Sequence, residues 1–238
     1  MQRLSEAWRY YRGKLGVRDG ALALISIGLA RATAHRCQLV SYDLVAQPVP
    51  EEPLPIGRRG GNITVHRLTE DDPALHAFPR PRPVFRARFQ QDAICYGAFR
   101  GNEPIGFIWF TLGPYEEDEV RCVYHPFPKD CTAWDFDVYV APAYRLTGTF
   151  ARLWNVAYAH MREHGIEWTV SRISSFNATS LSSHRRMGAR DVGRLIFLSV
   201  GSLQLMIGSI SPRISLSYNQ ASRPCIEVDV RKVNSASE

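Results

Sequence analysis

The stretch Asp135-Phe-Asp-Val-Tyr-Val-Ala-Pro-Ala-Tyr-Arg-Leu-Thr-Gly-Thr-Phe150 decides the fold. Its opening residues, with Trp134, are rich in β-branched and aromatic side chains and predict a strand over 134–140. Ala141-Pro142 ends that strand, and Thr149–His164 then reads as a helix closed by Gly165. A strand that passes into a helix through Arg145-x-x-Gly148 makes an anion cradle. Successive backbone N–H groups and the positive helix end converge on one spot, and glycine lets the backbone come close. The plainer reading is an ordinary strand-to-helix turn that contains a glycine. No GxGxxG is present, which disfavours a dinucleotide site.

Downstream, Trp168–Ile173 predicts a second strand that leads through Ser174-Ser-Phe-Asn177 into a helix ending near Met187-Gly188. A hairpin follows, Asp191–Val200 and Leu203–Ile207 around Gly201-Ser202. The tail after Ser209 alternates weakly at Ile226, Val228 and Val230, as a loose strand or a disordered end would. Upstream, Ala93–Arg100 and Pro104–Leu112 form a hairpin across Gly101-Asn102, and Ile63–Leu68 is a short strand. Thr69-Glu-Asp-Asp-Pro73 starts a helix that Pro79-Arg-Pro-Arg-Pro83 breaks. Glu116–Glu119 reads as a solvated acidic loop, with attraction of a cationic acceptor as its functional alternative. Four prolines within 48–55 cannot sit in a helix or a sheet interior, so they mark a boundary. Before it lie amphipathic helices over 3–35, broken at Gly13–Gly20, and a strand over Cys37–Val45. The chain divides accordingly into an extension (1–61), a main domain (62–210) and a tail (211–238).

The 238 residues are 45% hydrophobic and 22% charged, ordinary values that exclude a disordered or fibrous chain. The longest apolar run, Ala21–Ala30, is about half of a membrane span. The net charge of +6 rests on 26 Arg and 3 Lys scattered along the chain, with no zinc-finger spacing and no basic helix feeding heptads. That pattern argues against a nucleic-acid partner and suits a polyanionic small ligand. Five cysteines without a CxxC read as reduced thiols. Ala21–Ala30 followed by Ala32-Thr-Ala34 imitates a signal peptide, but Glu6, Asp19 and the aromatics before it make a poor leader, and Arg31 interrupts it. The expected compartment is the cytoplasm.

Over roughly 63–207 the element order resembles the GNAT superfamily of acyl-CoA-dependent N-acyltransferases. The resemblance is carried by Val140-Ala-Pro-Ala-Tyr-Arg-Leu-Thr-Gly-Thr-Phe150 and by Asn177-x-x-Ser180…His184-Arg-Arg-Met-Gly188. Arg145, Gly148, Asn177 and Gly188 match the family's patterns; Phe150 replaces a small residue and His184 a tyrosine. The resemblance implies a mixed, mostly antiparallel α/β sheet with helices on both faces, here preceded by the N-terminal helical extension. It also implies acetyl-CoA or another acyl-CoA as co-substrate. Backbone groups of Val138, Tyr139 and Val140 would align the pantetheine as an added strand would. The amides of Arg145, Leu146, Thr147, Gly148, Thr149 and Phe150 would hold the diphosphate, and Asn177 would bond the pantetheine. Phe150 puts the closeness of that approach in question.

Transfer to an amine needs a base, an oxyanion site and a proton donor for the thiolate. Asp137, then Asp135, is the candidate base. Two apart in a strand, they are expected on one face, where crowding would raise one pKa; pairing with arginine is the structural alternative. His184 is the candidate acid, as an imidazolium available near neutral pH. The reading is an N-acyltransferase acting by direct transfer to a small amine acceptor, with no metal. A non-catalytic acyl-CoA binder is the alternative. A remote one is a zinc peptidase using His160-x-x-Glu163-His164, for which no third ligand is identifiable. The N-terminal helices pack on the domain by default, or form a dimer contact or a peripheral membrane contact.

Overall fold

In the computed structural model, which describes residues 2–57, 61–219 and 221–236, helices and strands follow the periodicities of the sequence. The order is helix α1 (Gln2–Ala32), strands β1 (Cys37–Pro48) and β2 (Ile63–Leu68), helix α2 (Arg82–Phe89), then β3 (Ile94–Arg100) and β4 (Glu103–Thr111). Next come β5 (Tyr115–Glu116), β6 (Val123–Phe127), β7 (Thr132–Val140), α3 (Thr149–Glu163), β8 (Trp168–Ser174) and α4 (Ala178–Arg186). Strands β9 (Arg190–Val200), β10 (Leu203–Gly208), β11 (Ile214–Ser217) and β12 (Cys225–Asp229) complete it. Among the described residues no helix is long and apolar enough to cross a membrane.

Two compact units share the chain, and each is continuous in space but not in sequence. Pro48–Tyr115 and Pro126–Val170 form one of them. Its sheet is antiparallel in the order β2-β3-β4-β7, with the first residues of β8 parallel to β7. The β3–β4 turn uses Gly101 at φ 59°, a left-handed value that costs glycine little. Leu153, Trp154, Ala157, Tyr158 and Met161 fall on one stripe of α3 and are buried as it crosses β2, β3, β4 and β7. The other sheet face carries α2, whose Phe85 stacks on Trp109 (5.8 Å) and meets Phe107 edge-on (6.1 Å). Leu68, Leu75, Phe78 and Cys95 fill the same core. Asp72 caps the short 3₁₀ turn Pro73–Ala77, its carboxylate accepting from the Ala74 N–H at 2.9 Å.

Strands β4 and β7 come close at Gly106, where a Cβ would stand 2.6 Å from the carbonyl oxygen of Tyr139. That neighbour is backbone, so a larger side chain must move β7 itself. Gly106→Ala is expected to cost roughly 1–3 kcal/mol in urea denaturation. Unchanged stability would show that β7 yields freely there.

Met1–Gln47, Glu116–His125 and Ser171–Glu238 form the other unit. Here β1 pairs antiparallel with β9, β9 with β10, and β10 with β11. Tyr42, Leu44, Val45 and Ala46 of β1 are buried, so this stretch of the expected extension is a core strand of its sheet. Helix α1 is two helices joined at Gly16 (φ 81°, ψ 179°), inside the interval that the sequence marks as a break. Its second half is tied down by Asp19, which accepts from Arg194 at 2.5 Å, and by Ser26, whose hydroxyl donates to the Leu39 carbonyl at 2.7 Å. Among its described residues the tail forms β11 and β12, with Ile226 and Val228 buried in β12 and Val230 buried just after it.

Candidate active site

The cradle forms at the start of α3. A 3₁₀ turn at Pro142–Tyr144 brings the chain round, and Gly148 takes a left-handed conformation (φ 77°, ψ 7°) at the helix cap. A side chain there would be strained, which is the physical reason for the glycine. The first helical bond runs from the Arg152 N–H to the Gly148 carbonyl at 3.0 Å. The amides of Thr149, Phe150 and Ala151 therefore precede the ladder and open from the positive end of the helix. Thr147 braces the loop, its hydroxyl donating to the Tyr144 carbonyl (2.7 Å) and lying 2.8 Å from that of Thr149. Arg145 is exposed and folds toward the end of β7, with Nε 3.4 Å from the Val140 carbonyl. Leu146 is 83% exposed. Phe150 is half-buried, its ring 6.3 Å from that of Trp154 one turn along α3.

Strand β7 leads into this loop. It stays paired with β4 through Gly106↔Val140, whereas its parallel ladder with β8 covers only Thr132↔Trp168, Ala133↔Thr169 and Trp134↔Val170. Phe136–Tyr139 are half-buried. A bulge interrupts the β4–β7 register: Asp137 is opposite Trp109, and Asp135 is opposite the next residue, Phe110. Consecutive residues of β4 face opposite sides, so the two carboxylates do as well. The expectation of one shared face is thus wrong, because Phe136 is an extra residue that resets the alternation. The carboxylates do not crowd each other.

Each aspartate has its own partners. Asp135 is buried and accepts from the Thr169 hydroxyl at 2.7 Å. Asp137 takes three charge-assisted hydrogen bonds, two from Arg80 (both 2.9 Å) and one from Arg88 (2.8 Å). Arg88 is itself buried, its guanidinium 5.1 Å from the Phe136 ring and 5.5 Å from that of Trp109. Both carboxylate oxygens of Asp137 are engaged, so taking a proton there means opening an ion pair.

With that geometry in view, the family comparison is direct. The acetyltransferase (GNAT) family model matches residues 64–189, just over half of the chain. The chain belongs to the GNAT family. Acyl transfer is the chemistry of this family, and the α/β fold with a mostly antiparallel sheet is its fold. Solved structures similar to this GNAT chain include a tandem GNAT protein of the clavulanic acid biosynthesis pathway, with TM-score 0.48 and 14% identity over 71% of this chain. This chain spans 56% of that protein's length. A putative GNAT acetyltransferase from Novosphingobium aromaticivorans matches at TM-score 0.46 and 18% identity, covering 68% of this chain and 64% of its own. An aminoglycoside acetyltransferase from an uncultured soil metagenomic sample matches at 0.38 and 14%, covering 54% and 88%. Comparison with the curated proteins gives no match.

The remaining candidates of this GNAT chain lie in the unit that holds α4. Asn177 caps α4, its side-chain oxygen accepting from the Ser180 N–H at 3.1 Å. His184 is buried on the inner side of α4, and burial lowers its pKa to about 4. A pKa lowered that far favours the neutral ring near pH 7 and disfavours the expected imidazolium donor, as desolvation outweighs its helical position. The acidic run also departs from expectation. Glu116, Asp118 and Glu119 are exposed as a solvated run would be, but Glu117 is fully buried and paired with Arg172 through two bonds of 2.8 and 2.7 Å. Burial pushes the Glu117 carboxyl up and Arg172 draws it back. The Arg172 guanidinium also lies 4.5 Å from the ring of Tyr42, whose hydroxyl donates to Glu119. No local signal marks this cluster, since its members come from three distant stretches.

His160 and His164 do share a helix face, their rings stacked 4.5 Å apart. His160 Nδ1 is 3.0 Å from the Tyr96 hydroxyl and His164 Nδ1 is 2.8 Å from the His160 carbonyl. Burial, then the adjacent His164, lowers the His160 pKa. Among the described residues no three His, Cys, Asp or Glu side chains gather as a metal site.

Proposed function

We propose that this chain is an N-acyltransferase that moves an acetyl or longer acyl group from acyl-CoA to a small amine acceptor by direct transfer in a ternary complex. Residues 62–210 carry the reaction on this reading. The observation that supports it is the set of helix-start amides at Thr149–Ala151, ahead of the first helical bond and behind the left-handed Gly148, which fits a diphosphate. The thioester supplies the activated acyl group. The amides of Leu146, Gly148, Thr149 and Phe150 bind the anion, those of Arg145 and Thr147 donating to the carbonyls of Pro142 (3.5 Å) and Tyr144 (3.2 Å), and the backbone of Val138, Tyr139 and Val140 aligns the extended arm. Asp137 is a positioning residue: through Arg80 and Arg88 it fastens α2 and the segment before it to β7. Asp135 secures the start of β8 through Thr169. The proton of the attacking amine passes to water.

A second reading, an acyl-CoA binder without turnover, draws on the same facts: Asp137 is tied up by guanidinium groups and His184 is neutral. Thermal unfolding with CoA, acetyl-CoA and a long-chain acyl-CoA tests the cradle. A ligand at about 100 times its Kd stabilises by roughly 2.7 kcal/mol, several degrees for a chain of this size. No shift with any of them overturns both readings. A shift together with thiol release in the presence of amines supports the transferase, and a shift without release supports the binder.

Asp137→Asn separates the two roles of that residue. Positioning predicts a raised KM, a lower Tm and an acid limb of the pH–rate profile that persists. Loss of kcat together with that limb would restore Asp137 as the base.

A further inference from the structure

The sheet of the unit that contains β9, β10 and β11 has one face packed, and the other is exposed across β10 and β11. Inward lie Leu195, Phe197 and Met206, all fully buried, with Gln204 and Ser217. The opposite face is a grid set by the pairing register. Its first row is Ile196, Ile207 and Ile214, and its second is Leu198, Leu205 and Leu216. The third row begins with Val200 and Leu203, and Tyr218 continues the face beyond β11. Exposure is high where covering would be expected: Ile214 70%, Tyr218 63%, Val200 52%, Ile207 49%, Leu203 48% and Leu216 45%.

Nine side chains in three rows, eight of them aliphatic and none charged, is not the scatter of single apolar residues that any surface carries. An outward-facing antiparallel strand normally alternates apolar-in with polar-out, and here both faces are apolar. Helix α1 meets this same face at its β1 edge, where Asp19 accepts from Arg194, which points the same way as Ile196 and Leu198, and leaves β10 and β11 exposed. The bare grid amounts to on the order of 600 Å² of apolar surface, the upper range for a monomer's largest patch. It approaches the roughly 800 Å² that each partner contributes to a standard interface.

We infer that this face is the contact between two copies of the chain, stacked sheet on sheet about a two-fold axis. A flat, uncharged aliphatic grid demands a partner surface of the same kind, and the second copy presents one. Two such sheets interdigitate about 10 Å apart, and a two-fold axis makes the contact self-limiting. A membrane surface fits less well. The grid has no lysine or arginine and a single aromatic, whereas interfacial binding draws on both.

Sedimentation velocity of the full chain over a concentration series, without and with phosphatidylcholine and phosphatidylglycerol vesicles, tests this. The wild type is expected at twice the chain mass of 26.9 kDa. Ile214→Glu replaces the most exposed side chain of the grid, and is expected to weaken self-association about 100-fold while leaving the far-UV circular dichroism unchanged. Leu203→Glu is the second probe should the first misfold, and Val17→Glu, exposed but outside the grid, should leave the dimer intact. A wild type that stays monomeric at every concentration overturns the inference. So does a dimer that survives both glutamates, or vesicle binding that Ile214→Glu abolishes in a monomeric wild type.

Discussion

Replacing Arg172 by Met is expected to destabilise its unit by about 3–5 kcal/mol at neutral pH, the usual cost of leaving a buried charge without its partner. The Glu117 side chain has no solvent exposure, so the carboxylate cannot recover the lost hydrogen bonds from water. Its response to pH follows from the same burial. Burial already raises the Glu117 carboxyl, and removing Arg172 takes away the group that opposes that shift. A carboxyl whose folded pKa lies above its unfolded value costs stability once the unfolded form has ionised. The deficit of Arg172→Met should therefore shrink as pH falls toward the ordinary carboxylate range and grow above it. Adding Glu117→Met should recover much of the loss, because two apolar side chains of similar volume need no partner. Urea denaturation of the wild type, the single variant and the double variant decides it. A double variant no more stable than the single one would mean that Arg172 acts through the Tyr42 ring and not through Glu117.

This cluster also shows where the sequence is readable and where it is not. Strand β7 and helix α3 are legible because each carries its own period, and Gly148 marks where the backbone between them turns left-handed. Helix α4 and the β9–β10 hairpin are legible for the same reason. Burial of a single carboxylate within Glu116–Glu119 is not, since it depends on an arginine 55 residues away. The bulge at Phe136 leaves no mark either: it carries no glycine, and only the count of residues on β4 exposes it. One inserted position moved Asp135 and Asp137 to opposite faces and replaced a shared site by two separate contacts. Arg80 and Arg88 lie in a proline-punctuated segment and a short helix 57 and 49 residues before Asp137, and nothing local ties either to it. Periodicity reports local structure; the ion pairs of Asp137 and Glu117 are long-range.

His184 gives the second large effect, and its sign is opposite to that of the buried glutamate. Burial lowers its pKa to about 4 from an ordinary value of 6.5, because the imidazolium would lose its hydration on the inner side of α4. Around it the helix supplies the apolar Leu181, which packs with Val45, Ile173 and Ala189. A histidine with a depressed folded pKa binds fewer protons in the native state than in the unfolded chain. Its contribution is therefore fully present above pH 6.5 and is lost progressively as the pH falls through 6.5 to 4. The difference amounts to about 3 kcal/mol. Urea midpoints measured from neutral pH down to pH 4 should fall steeply for the wild type, and His184→Gln should remove that part of the slope whatever its absolute stability. The same residue constrains catalysis. A neutral imidazole cannot hand a proton to a thiolate as an imidazolium would, so kcat of His184→Gln should keep the shape of the wild-type pH profile above pH 6. If instead the basic limb of that profile disappears with the histidine, binding of the acyl-CoA has opened α4 enough to hydrate the ring.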